Sequence, residues 1–173
     1  MIELLRPDHY VSDVLAIDLA ALVASGVKAL LLDIDNTLLP LDQSGLSPEF
    51  AAWIASLPDA GLGAYLVSNN WHGHIHARAD EIGLPVIAKA AKPLPFGFRA
   101  AARALGVSTR ECAVVGDQVF TDVLGGSLVG ATTVLVCPLS STDLPHTLVL
   151  RHIERVIMAG RRPTSLTRLA PGR

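Results

Sequence analysis

Few of the residues that mark a secreted or membrane-spanning chain are present. Only two of the 173 residues are cysteines, Cys112 and Cys137, each inside an apolar run. They read as reduced core thiols of a cytoplasmic protein, and a disulfide framework is not expected. No stretch approaches the roughly 20 uninterrupted apolar residues that a spanning helix needs. Mean hydropathy is nevertheless +0.43, because Ala, Leu and Val are spread over many short runs. The opening MIELLRPDHY mixes acid, base and proline early and lacks a signal-peptide pattern. Charged residues make up only 17% of the chain and hydrophobic ones 50%, which excludes disorder and allows a sizeable core. There is no internal repeat, low-complexity tract or dividing linker. The expectation is one domain over residues 1–162, followed by a loose basic tail over 163–173.

Net charge is −2, and no stable nucleic-acid binding is expected. The distribution says more than the sum. Residues 151–173 carry six arginines and one acid, for +5, so the first 150 residues carry −7. A basic end of this kind can meet an anionic surface, although a solvated helix face with a frayed terminus is the commoner outcome.

Val27–Asp33 (VKALLLD) is a continuous apolar run ending in a carboxylate, the pattern of a strand buried on both faces. Helical spacing over Ser12–Ser25 precedes it, stopped by Gly26. Ser47-Pro48-Glu49 opens a helix towards Leu57 with a cap and a first-turn proline. Gly63–Ser68, Val86–Ala88, Cys112–Gly116 and Thr133–Cys137 read as further strands. Helices are expected after Ser68 to about Ile82, over Phe96–Leu105, over Thr121–Leu128 and over Leu148–Ala159. This alternation predicts an α/β fold. It would be a Rossmann-like three-layer sandwich with a mostly parallel sheet of about five strands. Ligands of such sheets bind beyond the carboxyl ends of the strands. Asp33, Ser68 and Asp117 fall there, and Lys92 lies in the loop after the third strand.

Asp33-Ile34-Asp35-Asn36-Thr37 is a D-x-D-x-T motif in that position, with Ser68 after the second strand, Lys92 before Pro93, and Gly116-Asp117 followed by Asp122. In this order the four segments resemble the motifs of the haloacid-dehalogenase-like phosphatases. The resemblance implies that Asp33 attacks phosphorus to form an aspartyl-phosphate. It also implies that Asp35 protonates the leaving alkoxide and then activates water. Lys92, Ser68 and Asn69 would bind the phosphoryl oxygens. A phosphate monoester repels a carboxylate unless a cation lies between them, and Mg²⁺ suits hard oxygen ligands. Asp33, Asp117 and the Asp35 main-chain carbonyl are the expected ligands. Thr37 and Asp122 would support the site, Asp122 through either metal-bound water or Lys92. Only Lys28, Lys89 and Lys92 are lysines, so Lys89 is the nearby rival. His72, His74 and His76 suggest a metal site, but no carboxylate or cysteine pair accompanies them, and exposed or capping histidines are expected.

Members of this superfamily that act on small metabolites often insert a cap domain. Here about ten residues follow Thr37 before the next helix, and the later gap is filled by one helix, so no cap is expected. An open site points to a large or surface-bound substrate. Leu5–Thr37, the run to Pro40, and Gly116–Asp122 further resemble the YqeG-type bacterial phosphatases, relatives of the mitochondrial phosphatidylglycerophosphate phosphatase. The likeness covers roughly residues 5–160. It implies a lipid-headgroup phosphatase of phosphatidylglycerol synthesis, cytoplasmic with peripheral contact at the inner membrane face. The expected final helix sets Val149, Ile153, Val156 and Ile157 on one side and Arg151, Arg155 and Arg162 on another. The alternatives are a phosphatase for a nucleotide, sugar phosphate or phosphoprotein, and a non-catalytic module of the same fold.

Overall fold

The protein is described from a computed structural model, which covers residues 2–40, 45–71, 75–140 and 163. The strands are β1 (His9–Val11), β2 (Ala29–Leu32), β3 (Gly63–Val67), β4 (Val86–Ile87), β5 (Cys112–Gly116) and β6 (Thr132–Val136). They form one sheet in the order β1-β6-β5-β2-β3-β4, and every pairing is parallel. The helices are α1 (Leu19–Ala24), α2 (Pro48–Ser56), α3 (Ile75–Ile82), α4 (Pro95–Ala104) and α5 (Leu124–Val129).

β2 shows why its sequence is apolar throughout. Leu30 and Leu32 pack with Phe50, Trp53 and Ile54 of α2 and Ile75, Ala79 and Ile82 of α3. Ala29 and Leu31 pack on the opposite face with Phe98, Ala101 and Ala102 of α4. Successive side chains point to opposite faces, so a strand covered on both sides cannot alternate with polar residues. Ser47 caps α2 as expected, accepting from Phe50 N with Pro48 in the first turn.

The sheet has six strands where about five were expected. The additional one, β1, is three residues long and includes a histidine, too little for a period-two signal. Its register depends on side chains. Asp8 N donates to Thr133 Oγ1 at 3.0 Å, while Thr133 N and its hydroxyl both donate to Asp8 Oδ2 at 2.8 Å. The helix expected over Ser12–Ser25 is interrupted. Asp13 caps a short 3₁₀ turn over Val14–Ala16, Ile17 is extended, and Asp18 caps α1 through Ala21 N. Two successive carboxylate caps restart the chain where side-chain periodicity alone suggested one helix. The helix expected over Thr121–Leu128 begins as a π turn over Val119–Val123 and continues as α5. The expected helix at Leu148–Ala159 and the arginine-rich tail lie outside the described residues, as do His72 and His74.

Cys112 and Cys137 are both free thiols; Cys112 is buried, and Cys137 is partly exposed rather than in the core. His9 is buried, and burial holds its pKa below the ordinary histidine value, against the pull of Asp8. The unfolded chain therefore takes up this proton at higher pH than the native protein. Its contribution to stability is fully present above about pH 6.5 and is lost as pH falls below that value. Urea unfolding of His9→Gln should show a flatter loss of stability than the wild type between about pH 6.5 and 5. Parallel curves would exclude His9 as the source.

Candidate active site

Because all strands run parallel, the segments that follow β2, β3, β4 and β5 meet at one sheet edge. The eight residues singled out in the sequence lie on those segments. Asp33 directly follows β2, and its N–H donates to Val115 O at 2.9 Å, which extends the ladder to the base of the carboxylate. Ile34 O then accepts from Thr37, Leu38 and Leu39 N. Asn36 closes this tight turn at φ 60°, a left-handed conformation that asparagine tolerates.

Lys92 is the centre of the cluster. Its Nζ donates to Asp33 Oδ1 at 2.6 Å and Asp122 Oδ1 at 2.7 Å. Asn69 holds its main chain: Lys92 N donates to Asn69 Oδ1 at 2.6 Å, and Asn69 Nδ2 donates to Lys92 O at 3.0 Å. The loop is further shaped by left-handed Lys89 and Ala91 and a cis Lys92–Pro93 bond. The rival Lys89 stands elsewhere, with its ammonium 5.3 Å from the centre of the Trp71 ring, and Lys28 pairs with Glu111 at 2.6 Å. Ser68 is buried, and its Oγ accepts from Asn70 N at 3.0 Å.

Asp33, Asp117 and Asp122 are all buried and can each offer an oxygen within 4.8 Å of the others. They form the one such acidic or histidine-containing group among the described residues; His76 is exposed. Burial pushes the Asp33 carboxyl well above the usual carboxylate range; Lys92 pulls it down, while Asp122 and Asp117 push it further up. Burial also opposes the charge on Lys92, but Asp122 and Asp33 outweigh it and hold the ammonium above its ordinary value. One firmly charged ammonium faces three carboxylates, so the cluster carries surplus negative charge. That imbalance, with a donor set of hard oxygens only, fits a small divalent cation. Asp122 is already committed: Oδ1 to Lys92, and Oδ2 to Gln118 N at 3.3 Å and the Thr121 hydroxyl at 3.1 Å. The π turn that carries Asp122 is a feature often found at functional sites.

Asp35 sits outside this cluster. Its Oδ1 accepts from Arg78 Nη1 at 2.5 Å and its Oδ2 from Asn70 Nδ2 at 3.3 Å. The Arg78 contact was not foreseen, since a lone arginine in a helix carries no spacing signal. The Thr37 hydroxyl is fully buried with no hydrogen-bond partner among the described residues. Such an orphan costs about 1–3 kcal/mol and calls for an explanation; here it lies on the same turn as the two aspartates.

The HAD-hydrolase-like family matches residues 89–138. The chain is 35% identical to "Probable phosphatase YqeG" of Bacillus subtilis over 88% of this chain and 89% of that one. It is 29% identical to the chloroplastic phosphatidylglycerophosphate phosphatase 1 of Chlamydomonas reinhardtii, over 85% of this chain but only 58% of that protein's length. A HAD-family enzyme of Bacteroides thetaiotaomicron, crystallised with magnesium and inorganic phosphate, has the same fold at 14% identity. Its TM-score is 0.54, over 70% of this chain and 98% of that one.

Proposed function

Given that the chain belongs to the YqeG-type phosphatases of the haloacid-dehalogenase-like hydrolases, we propose that it is a magnesium-dependent phosphatase of phosphatidylglycerophosphate that works through an aspartyl-phosphate on Asp33. The observation that carries the chemistry is the Lys92 ammonium held between Asp33 and Asp122 inside a buried acidic cluster. Asp33 attacks phosphorus, and an oxygen–phosphorus bond forms as the ester bond breaks in line. Asp35 gives its proton to the departing alkoxide. It then takes a proton from the water that hydrolyses the acyl-phosphate, which returns Asp35 to its acid form and Asp33 to its carboxylate. Lys92 and the Ser68 hydroxyl stabilise the transferring oxygens, and Asn69 serves by fixing the Lys92 main chain. Magnesium held by Asp33, Asp117 and the Asp35 carbonyl would supply the positive charge that lets an anionic ester approach a carboxylate.

The lipid assignment rests on the access route and on the algal relative. The chain between Leu32 and Pro48 is short, and among the described residues the chain between Val67 and Val86 holds only α3, which is too little for a cap. At the same edge, Trp71 (69% exposed) and Leu94 (51%) project from the loops beside Ser68 and Lys92, and Phe96 (68%) from the first turn of α4. Asn69 laces those two loops together. Large apolar side chains around a catalytic mouth suit contact with a bilayer, and tryptophan favours the bilayer interface. Contact at the inner membrane face would then be peripheral; among the described residues no helix is long and apolar enough to cross a membrane.

The test is phosphate release from phosphatidylglycerophosphate in anionic vesicles with Mg²⁺, run beside soluble phosphomonoesters. Release from the lipid is expected, with loss in Asp33→Asn and on removal of the metal. Mg²⁺ at a hundred times its dissociation constant should also stabilise the wild type by about 2.7 kcal/mol, an effect Asp117→Asn should abolish. Turnover of soluble esters alone would sink the lipid reading. No Asp33-dependent turnover of any ester would favour a non-catalytic module.

A further inference from the structure

Two cations stand at the site, and the proposed chemistry uses only one of them. Lys92 is the inner one: its side chain is 3% exposed and that of its partner Asp33 is 8%. Arg78 is the outer one: it and Asp35 are 23% and 24% exposed. The solvent-facing end of the site is therefore the Asp35–Arg78 end. If Asp35 protonates the leaving oxygen, the alcohol part of the ester must extend past this pair.

We propose that Arg78 is an anion subsite for the leaving part of the substrate, which selects phosphomonoesters whose alcohol carries a second phosphate or phosphodiester. This rests on the reading of Asp33 and Asp35 as the phosphatase centre. Arg78 has the position for it, because Ile75, Ala79 and Ile82 bury α3 against the sheet and fix the backbone that bears it. It has the chemistry, because a guanidinium presents five N–H donors in a planar fork that matches phosphate oxygens two at a time. The contact with Asp35 uses Nη1, and Asp35 keeps the Asn70 amide on its other oxygen. The aspartate therefore stays held when the guanidinium is shared with a ligand. A cation at the outer end would add nothing to a substrate whose leaving alcohol is uncharged. It would add a charged contact for a glycerophosphate whose far end is itself a phosphodiester.

The experiment measures binding, so it does not depend on turnover. In an Asp33→Asn background with Mg²⁺, calorimetry compares glycerol 3-phosphate with glycerol 1,3-bisphosphate, with Arg78 intact, Arg78→Lys or Arg78→Gln. The second phosphate is expected to tighten binding at least about tenfold when Arg78 is present. With Arg78→Gln the gain should fall below about threefold, near the statistical factor for two equivalent phosphates, and Arg78→Lys should lie between. An equal gain with and without Arg78 would overturn the proposal, as would no gain, or no detectable binding of the bisphosphate at millimolar concentration, with Arg78 intact. A uniform weakening of both ligands would reduce Arg78 to a partner that merely orients Asp35. Failure of the lipid reading looks different: wild-type protein would leave phosphatidylglycerophosphate uncleaved in vesicles, while the Arg78-dependent gain for the bisphosphate persists.

Discussion

Exchanging Lys92 for methionine is expected to lower turnover about a hundred- to a thousandfold and to destabilise the metal-free protein by about 3–5 kcal/mol. Methionine keeps most of the length and the apolar stem, so the change isolates the ammonium. In the wild type that ammonium is 3% exposed and bonded to both Asp33 and Asp122. Without it, three buried carboxylates lie together without the Lys92 charge between them. Asp33 can escape part of the penalty by taking up a proton, since burial already raises its pKa; Asp122 would still lose its Lys92 contact. Urea unfolding in the presence of a chelator and then with Mg²⁺ reads both effects. The stability gap between variant and wild type should narrow when the cation is added. Coincident unfolding curves in chelator would show that Lys92 does not balance the cluster.

Gly116→Ala is the second change of large expected effect. Gly116 ends β5, and a Cβ placed there would lie 2.2 Å from Asp122 Cγ, 2.4 Å from its Oδ2 and 2.6 Å from its Cβ. These are overlaps with the root of the side chain as well as its tip, so rotation alone cannot relieve them. Backbone retreat is blocked on one side by the pairing of Gly116 with Leu135 of β6. Asp122 must therefore leave Lys92, which costs both packing and charge balance. The expected result is a loss of about 2–3 kcal/mol of stability, with turnover per folded molecule reduced about a hundredfold. Gly126→Ala is the control. Its Cβ would meet Thr133 Cγ2 at 2.8 Å and Val114 Cβ at 3.0 Å, away from the acids, so it should lose stability while keeping far more turnover. Similar turnover losses in both variants would mean that α5 packing, and not the placement of Asp122, governs the site.

These variants also mark what the sequence could reveal. The strand before Asp33 was legible because burial on both faces demands an unbroken apolar run, and Leu30 and Leu31 do pack on opposite sides of the sheet. The address of Asp33, Ser68 and Asp117 followed from parallel topology alone. Lys92 was legible as a motif, and the structure separates it from Lys89 by placing the latter over Trp71. What escaped was whatever depends on one side chain meeting another across the fold. β1 has too few residues for a pattern and is pinned by Asp8 and Thr133. The break before α1 depends on which of two aspartates caps which turn. The clasp of the Asn69 side chain on the main chain of Lys92 carried no signal in the sequence. Asp122 was left between two roles, and it bonds Lys92 directly. Arg78 lies 43 positions from Asp35, a separation no local periodicity can bridge.

The strand order has a consequence for how the chain comes into being. A ribosome delivers β2 and β3 early, and they can pair at once, but the other flank of β2 waits for β5. β1, the first described strand, has no partner in the described sheet until β6, the last described one, has emerged. The nascent polypeptide therefore carries an open flank of β2 until β5 has been made, a template for mispairing. Asp117 and Asp122 come more than 80 residues after Asp33, so translation products truncated between them have the D-x-D segment without those two acids. Pairing of β1 with β6 is the event that completes the described sheet on that side. Clipping the first dozen residues would uncover the flank of Thr132–Val136 (TTVLV), a short β-branched segment of the kind that seeds aggregates.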